Sequence, residues 1–72
     1  MNLRETFAAN LRYYRQEKGV SQEDLAHRAG LDRTYISSLE RSVYSASIDV
    51  IEKVALVLEV EPHRFLKVRN QS

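Results

Sequence analysis

Apolar residues recur along this chain at intervals of three and four, and the pattern predicts helices from end to end. Phe7, Leu11 and Tyr14 lie on one helical stripe and predict a first helix over about residues 3–18, which Gly19 can end in the left-handed conformation. Ser21 is an N-cap for a second helix over about residues 22–29. Asp24 favours its N-terminal dipole, Leu25, Ala26 and Ala29 form its buried edge, and Gly30 stops it. Asp32 caps a third helix over about residues 33–41, and Ser47 caps a fourth over about residues 48–58. Pro62, at a favoured first helical position, opens a short fifth helix that ends near residue 66 or 67. Valine and isoleucine fall at helical spacing rather than in alternation. Two glycines and one proline leave little material for hairpins. The expectation is an all-α fold: a compact bundle of five helices, one domain over residues 1–72, with a frayed tail from about residue 69.

The stretch 21–41 carries the strongest geometric signal. Only Leu31 and Asp32 separate the second helix from the third, and a link so short forces a steep crossing, roughly 90–120°. Leu31 should plug the corner, and Ala26 and Ala29 let the helix axes approach. Successive helical residues are about 100° apart, which places Tyr35, Ile36 and Leu39 on the core side of the third helix. Arg33, Thr34, Ser37, Ser38 and Arg41 fall on the outward side. That face holds two guanidiniums, three hydroxyls and no acid, a composition suited to an anionic groove. The competing reading is a merely solvated face. The steep turn weighs against it, because the turn makes this face protrude.

Composition narrows the classes. A 72-residue chain of this kind buries only about 60% of its unfolded surface, so a deep substrate cavity is not expected. There is no cysteine, hence no disulfide and no thiolate metal site. His27 and His63 are far apart and belong to no triad or ligand motif; both read as surface residues. No metal, cofactor or small-molecule ligand is expected. No apolar run approaches the roughly 20 residues of a membrane helix, and the N-terminal residues MNLRETFAANLR do not form a secretory signal. The cytoplasm is the default location. Eleven basic residues face ten acidic ones, for a net charge of +1. Any basic surface must therefore come from where the charges sit.

The residues Leu11, Arg15, Gly19, Ser21, Gln22, Leu25, Ala26, Ala29, Gly30, Leu31, Tyr35, Ile36, Leu39, Glu40 and Arg41, then Ile48, Ile51, Ala55, Leu58 and Val60, together resemble the lambda-repressor-like helix-turn-helix family. Within it, the run from Leu31 to Ser37 is similar to the controller proteins of restriction–modification systems. The resemblance implies that helix three enters the major groove of DNA, with Arg33, Thr34, Ser37 and Ser38 reading bases. It assigns phosphate contacts to Gln22 and to the Tyr35 hydroxyl; Arg41 on the outward face is a further phosphate candidate, and contact from the following loop would have to use backbone amides, Tyr44 and Ser45. For Gln22 the bland alternative is a generic polar residue at a helix start; for Tyr35 it is core packing. Arg15 and Glu40 match a structural ion pair between helices one and three. The chain departs from the family at Ser42 and Glu59, where glycine is usual, and at Tyr44 and Ser45, where controller proteins often carry arginine and asparagine.

Helix four bears a wide apolar face. Ile48, Ile51, Ala55 and Leu58 form one stripe, expected to face the core; Val50, Val54 and Val57 form a second beside it. A small chain has few residues to cover both, so Val50, Val54 and Val57, with His63 and Phe65, are expected to form a two-fold dimer interface. The alternative is that the valines widen the core. The family contact around helix four agrees with a dimer. A dimer sets two recognition helices about 34 Å apart, which fits a palindromic operator on double-stranded DNA.

The resulting expectation is a dimeric, sequence-specific transcriptional regulator that blocks or recruits RNA polymerase, with a restriction–modification controller as the favoured setting. A phage-type repressor or an antitoxin regulator is the alternative within this class. A protein-interaction module that has lost DNA binding is the alternative outside it.

Overall fold

A computed structural model describes residues 2–69. Four α-helices, α1 (Leu3–Glu17), α2 (Gln22–Ala29), α3 (Arg33–Glu40) and α4 (Ile48–Leu58), are followed by a 3₁₀ turn over Pro62–Leu66. There is no strand among the described residues, and no helix among them is long and apolar enough to cross a membrane. Of the tail expected to fray from about residue 69, Arg69 is described and hydrogen-bonded to Asn10, and residues 70–72 lie outside the described residues.

Local chemistry sets the helix starts. The side-chain oxygens of Asn2, Ser21, Asp32 and Ser47 accept from the amides of Glu5, Asp24, Thr34 and Val50, each satisfying a donor that a helix start leaves free. α2 stops at Gly30, whose φ of 70° is left-handed. The Leu31 amide then donates to the Ala26 carbonyl at 2.8 Å, and the partly buried Leu31 side chain packs against the core. Gly30, Leu31 and Asp32 alone thus join α2 to α3.

Ser42 and Glu59 stand at φ 62° and 57°, the left-handed conformation that favours glycine. Both close helices in the same way. After α3, the Ser42 amide donates to Leu39 and the Val43 amide to Ser38. After α4, the Glu59 amide donates to Leu56 and the Val60 amide to Ala55. These paired bonds form the Schellman closure.

The core gathers Phe7, Leu11, Leu25, Ile36, Leu39, Val54, Leu58 and Phe65, all nearly free of solvent contact. Two expectations change here. The fifth element is a single 3₁₀ turn rather than an α-helix. The Phe65 ring must reach between Phe7 and Tyr14, with centroids 5.9 and 5.4 Å away, and the tight turn aims it there within five residues.

Helix α4 is also rotated relative to expectation. Val50, Val54, Ala55 and Leu58 are its buried residues, while Ile48 is 84% exposed. Val50, Val54 and Phe65 therefore fill the core of the single chain. The valine stripe widens the core, because periodicity gives the width of an apolar face but not its centre.

Asn10 is a buried polar residue at 2% exposure. Its Nδ2 donates to the carbonyls of Arg64, Phe65 and Lys67 at 3.2, 2.8 and 2.8 Å. Its Oδ1 accepts from Arg69 Nε at 2.9 Å, and the Arg69 guanidinium lies 3.7 Å from the centre of the Tyr13 ring. One carboxamide thus fastens the 3₁₀ turn and the chain after it to α1.

Candidate functional site

The N-terminus of α3 projects from the corner at Leu31. Arg33 and Thr34 are exposed in its first turn, Ser37 is half-buried one turn on, and Arg41 is exposed at the C-cap. The Asp32 carboxylate accepts from the Thr34 amide at 3.0 Å. The acid beside Arg33 is thus occupied in holding the helix start. Arg41 folds back along the helix, its Nε 3.4 Å from the Ser37 carbonyl.

Ser38 does not join this face. It is 6% exposed, because the closure of α3 folds Val43 back onto it through a 3.0 Å bond to its carbonyl. The Ser38 hydroxyl lies 3.5 Å from Arg41 Nη2. Its place is at the base of the loop rather than on the exposed face where the helical spacing alone put it.

The loop after α3 flanks the same face. The ring of half-buried Tyr35 lies 6.4 Å from that of Tyr44, inclined at 34°. Tyr44 is 56% exposed, so Tyr35 supports the ring from one side. Ser45, also exposed, accepts from Arg4 Nε at 3.0 Å, which ties the loop to the start of α1.

A buried polar network sets the angle of α3. Glu40 accepts from Arg15 through both oxygens, Nε to Oε2 at 2.6 Å and Nη2 to Oε1 at 3.0 Å. Arg15 Nη1 also donates to the Val20 carbonyl at 2.9 Å. Gln22 Nε2 donates to Glu40 Oε1 at 3.0 Å. Gln22 therefore couples the start of α2 to the end of α3 and is only partly free for any contact beyond the chain.

Of the residues expected at a dimer contact, Val57 is half-buried and His63 exposed. The apolar residues that α4 does present outward are Ile48 and Leu56, at 84% and 79% exposure. Sequence reading missed Asn10 and misplaced Ile48.

Two helices joined by a three-residue corner, the second bearing an exposed arginine at its start, form a helix-turn-helix. The chain belongs to the lambda-repressor-like helix-turn-helix family, whose pattern it matches over residues 11–65. It is 45% identical over 65 residues to a hypothetical transcription factor of Neisseria meningitidis, covering 90% of this chain and 61% of that protein. It is 40% identical over 63 residues to the transcriptional regulator SinR of Bacillus subtilis, covering 86% of this chain and 57% of SinR. The chain thus spans about three-fifths of these curated relatives. A crystal structure of SinR in complex with DNA superimposes with a TM-score of 0.81 at 40% identity, over 85% of this chain and 98% of that one. The restriction–modification controller C.AhdI of Aeromonas hydrophila superimposes with a TM-score of 0.83 at 40% identity, over 86% and 94%.

Proposed function

We propose that this protein is a sequence-specific, DNA-binding regulator of transcription that acts in the cytoplasm as a two-fold dimer on a palindromic operator. The carrying observation is the protruding start of α3. Arg33 and Thr34 stand exposed on a capped helix, with the adjacent acid engaged by the backbone. Arg33 forks onto a guanine edge, Thr34 and Ser37 touch neighbouring bases, and Arg41, Tyr44 and Ser45 meet phosphates. Tyr35 supports Tyr44 and reaches the same strand through its hydroxyl. Gln22 and the free amides at the start of α2 bind a phosphate on the other side of the groove.

The likeness to C.AhdI supports a restriction–modification controller as the setting. The likeness to a DNA-bound SinR supports duplex DNA as the partner. Occupying an operator beside a promoter blocks or recruits RNA polymerase, so this is a regulator rather than an enzyme. The test is anisotropy of a labelled duplex at two salt concentrations. Binding that weakens steeply as salt rises, and a parallel loss of affinity in Arg41→Ala, support the reading. Binding indifferent to salt and to that substitution overturns it.

A further inference from the structure

The chain after Pro62 is basic on its own scale. His63, Arg64, Lys67 and Arg69 fall within a stretch that holds no acid, in a chain whose net charge is only +1. Folding brings these four side chains to one open groove, where Tyr13 and Tyr14 of α1 and Val68 lie between them and no carboxylate joins the lining. His63, Arg64 and Lys67 are exposed, yet the backbone that carries them is held. Asn10 Nδ2 donates to the carbonyls of Arg64 and Lys67 at 3.2 and 2.8 Å, and the buried Phe65 between them packs on Tyr14 with centroids 5.4 Å apart. Arg69 is engaged within the chain, by Asn10 Oδ1 and by the Tyr13 ring. Arg64 faces one exposed acid, Glu61, at 3.4 Å, and an exposed pair of this kind exchanges partners at little cost. Glu17, Glu59 and Glu61 line the adjoining hollow together with Lys18, and that hollow shares Tyr13, Tyr14 and Arg64 with the groove.

We infer that this groove binds an extended acidic segment of a partner protein, one in which carboxylates alternate with apolar side chains. The charge of the lining selects the acids: carboxylates pair with Arg64, Lys67 and His63. The apolar side chains between them lie on Tyr13, Tyr14 and Val68. Because Asn10 and Phe65 hold the backbone beneath the cations, little ordering is left for the moment of binding. Two other ligand classes fit less well. Base stacking needs an open ring face, but Tyr13 has the Arg69 guanidinium over one face and the Tyr14 ring against it, and half-buried Tyr14 is wedged between Tyr13 and Phe65. A small molecule needs a site that encloses most of its surface, and this groove is open, with walls from α1 and residues 63–69 alone. The acids of the adjoining hollow set the register, since the acidic stretch of the partner must stop short of Glu17, Glu59 and Glu61. No residue of α2, α3 or the loop after α3 lines the groove, so the inference goes beyond the DNA-binding reading and does not depend on it.

The probe is a short labelled peptide in which aspartates alternate with phenylalanine and leucine, and its control carries asparagine in place of every aspartate. An acidic peptide also mimics a phosphate backbone crudely, so its place on the chain is read residue by residue. In a titration followed by nuclear magnetic resonance, the amides of Tyr13, Tyr14 and residues 63–68 are expected to shift, while those of Arg33, Thr34 and Ser37 stay put. By anisotropy, a chain with both Arg64→Gln and Lys67→Gln binds the peptide about tenfold or more weakly, and its circular dichroism melt stays that of the parent because both side chains are exposed. Arg33→Ala binds it as the parent does. Three results overturn the inference: equal binding of the asparagine control, shifts centred on α3 with loss of binding in Arg33→Ala, or a single-stranded oligothymidylate that moves the groove amides at lower concentration than the peptide. Duplex binding by the same variants separates the two readings. If the parent binds no duplex while the peptide shifts the groove amides, the regulator falls and the groove stands; if it binds duplex and the peptide moves nothing, the groove falls and the regulator stands.

Discussion

Arg15 and Glu40 lock α1 to α3 through a two-pronged ion pair, 2.6 and 3.0 Å long, in which the Glu40 side chain is 1% exposed and that of Arg15 12%. Gln22 and the Val20 carbonyl complete their hydrogen bonding. The projection of α3 therefore depends on a polar cluster inside the protein, and the cluster determines how firmly that helix is held.

Removing one partner strands the other. Glu40→Ala leaves the Arg15 guanidinium in a site with little water, and unfolding in urea is expected to show a loss of about 3 kcal/mol. Replacing both members with apolar residues of matching volume restores much of that loss, because no buried charge is then left alone. A Glu40→Ala variant as stable as the parent contradicts the role given to the pair.

Arg33→Ala should leave the fold intact, since the side chain is exposed. Its effect falls on selectivity. Competition between operator variants is expected to show a loss of about 1–3 kcal/mol of discrimination at one position of each half-site. Undiminished selectivity shows that Arg33 reads no base.

Ser42 and Glu59 occupy left-handed positions where a side chain is strained. Ser42→Gly and Glu59→Gly are each expected to raise stability by about 1 kcal/mol, which in a domain of this size moves Tm by roughly 4–8 °C.

Asn10→Ala removes the donor that fastens the 3₁₀ turn and leaves buried carbonyls without it. The expected cost is about 2 kcal/mol or more. Asn10→Asp keeps the size but turns an acceptor toward three carbonyls, and its urea midpoint is expected to fall further still.

The helix starts were readable because their causes are local. A serine or aspartate ahead of an apolar stripe names the amide it will accept from. The corner at Leu31 was readable for the same reason, being only three residues long. The centre of the apolar face of α4 was not. Which of Ile48 and Val54 turns inward depends on α1, α2 and the 3₁₀ turn, all distant in sequence. Ser38 was misread because a face drawn on an isolated helix omits the loop that folds back over it. Asn10 did leave a signal, since it lies within the stripe of Phe7, Leu11 and Tyr14. A polar residue among buried ones must find partners, but its partners lie more than fifty positions away.

The central claim is that α3 reads duplex DNA twice, once from each half of a dimer. Selection of bound fragments from random duplex DNA tests this most directly. The expected product is an inverted repeat with half-site centres about 10 base pairs apart, or a multiple of that spacing, lost when Arg33 and Thr34 are both replaced by alanine. Recovery of unenriched sequence, or of the same repeat by the doubly substituted chain, would contradict it.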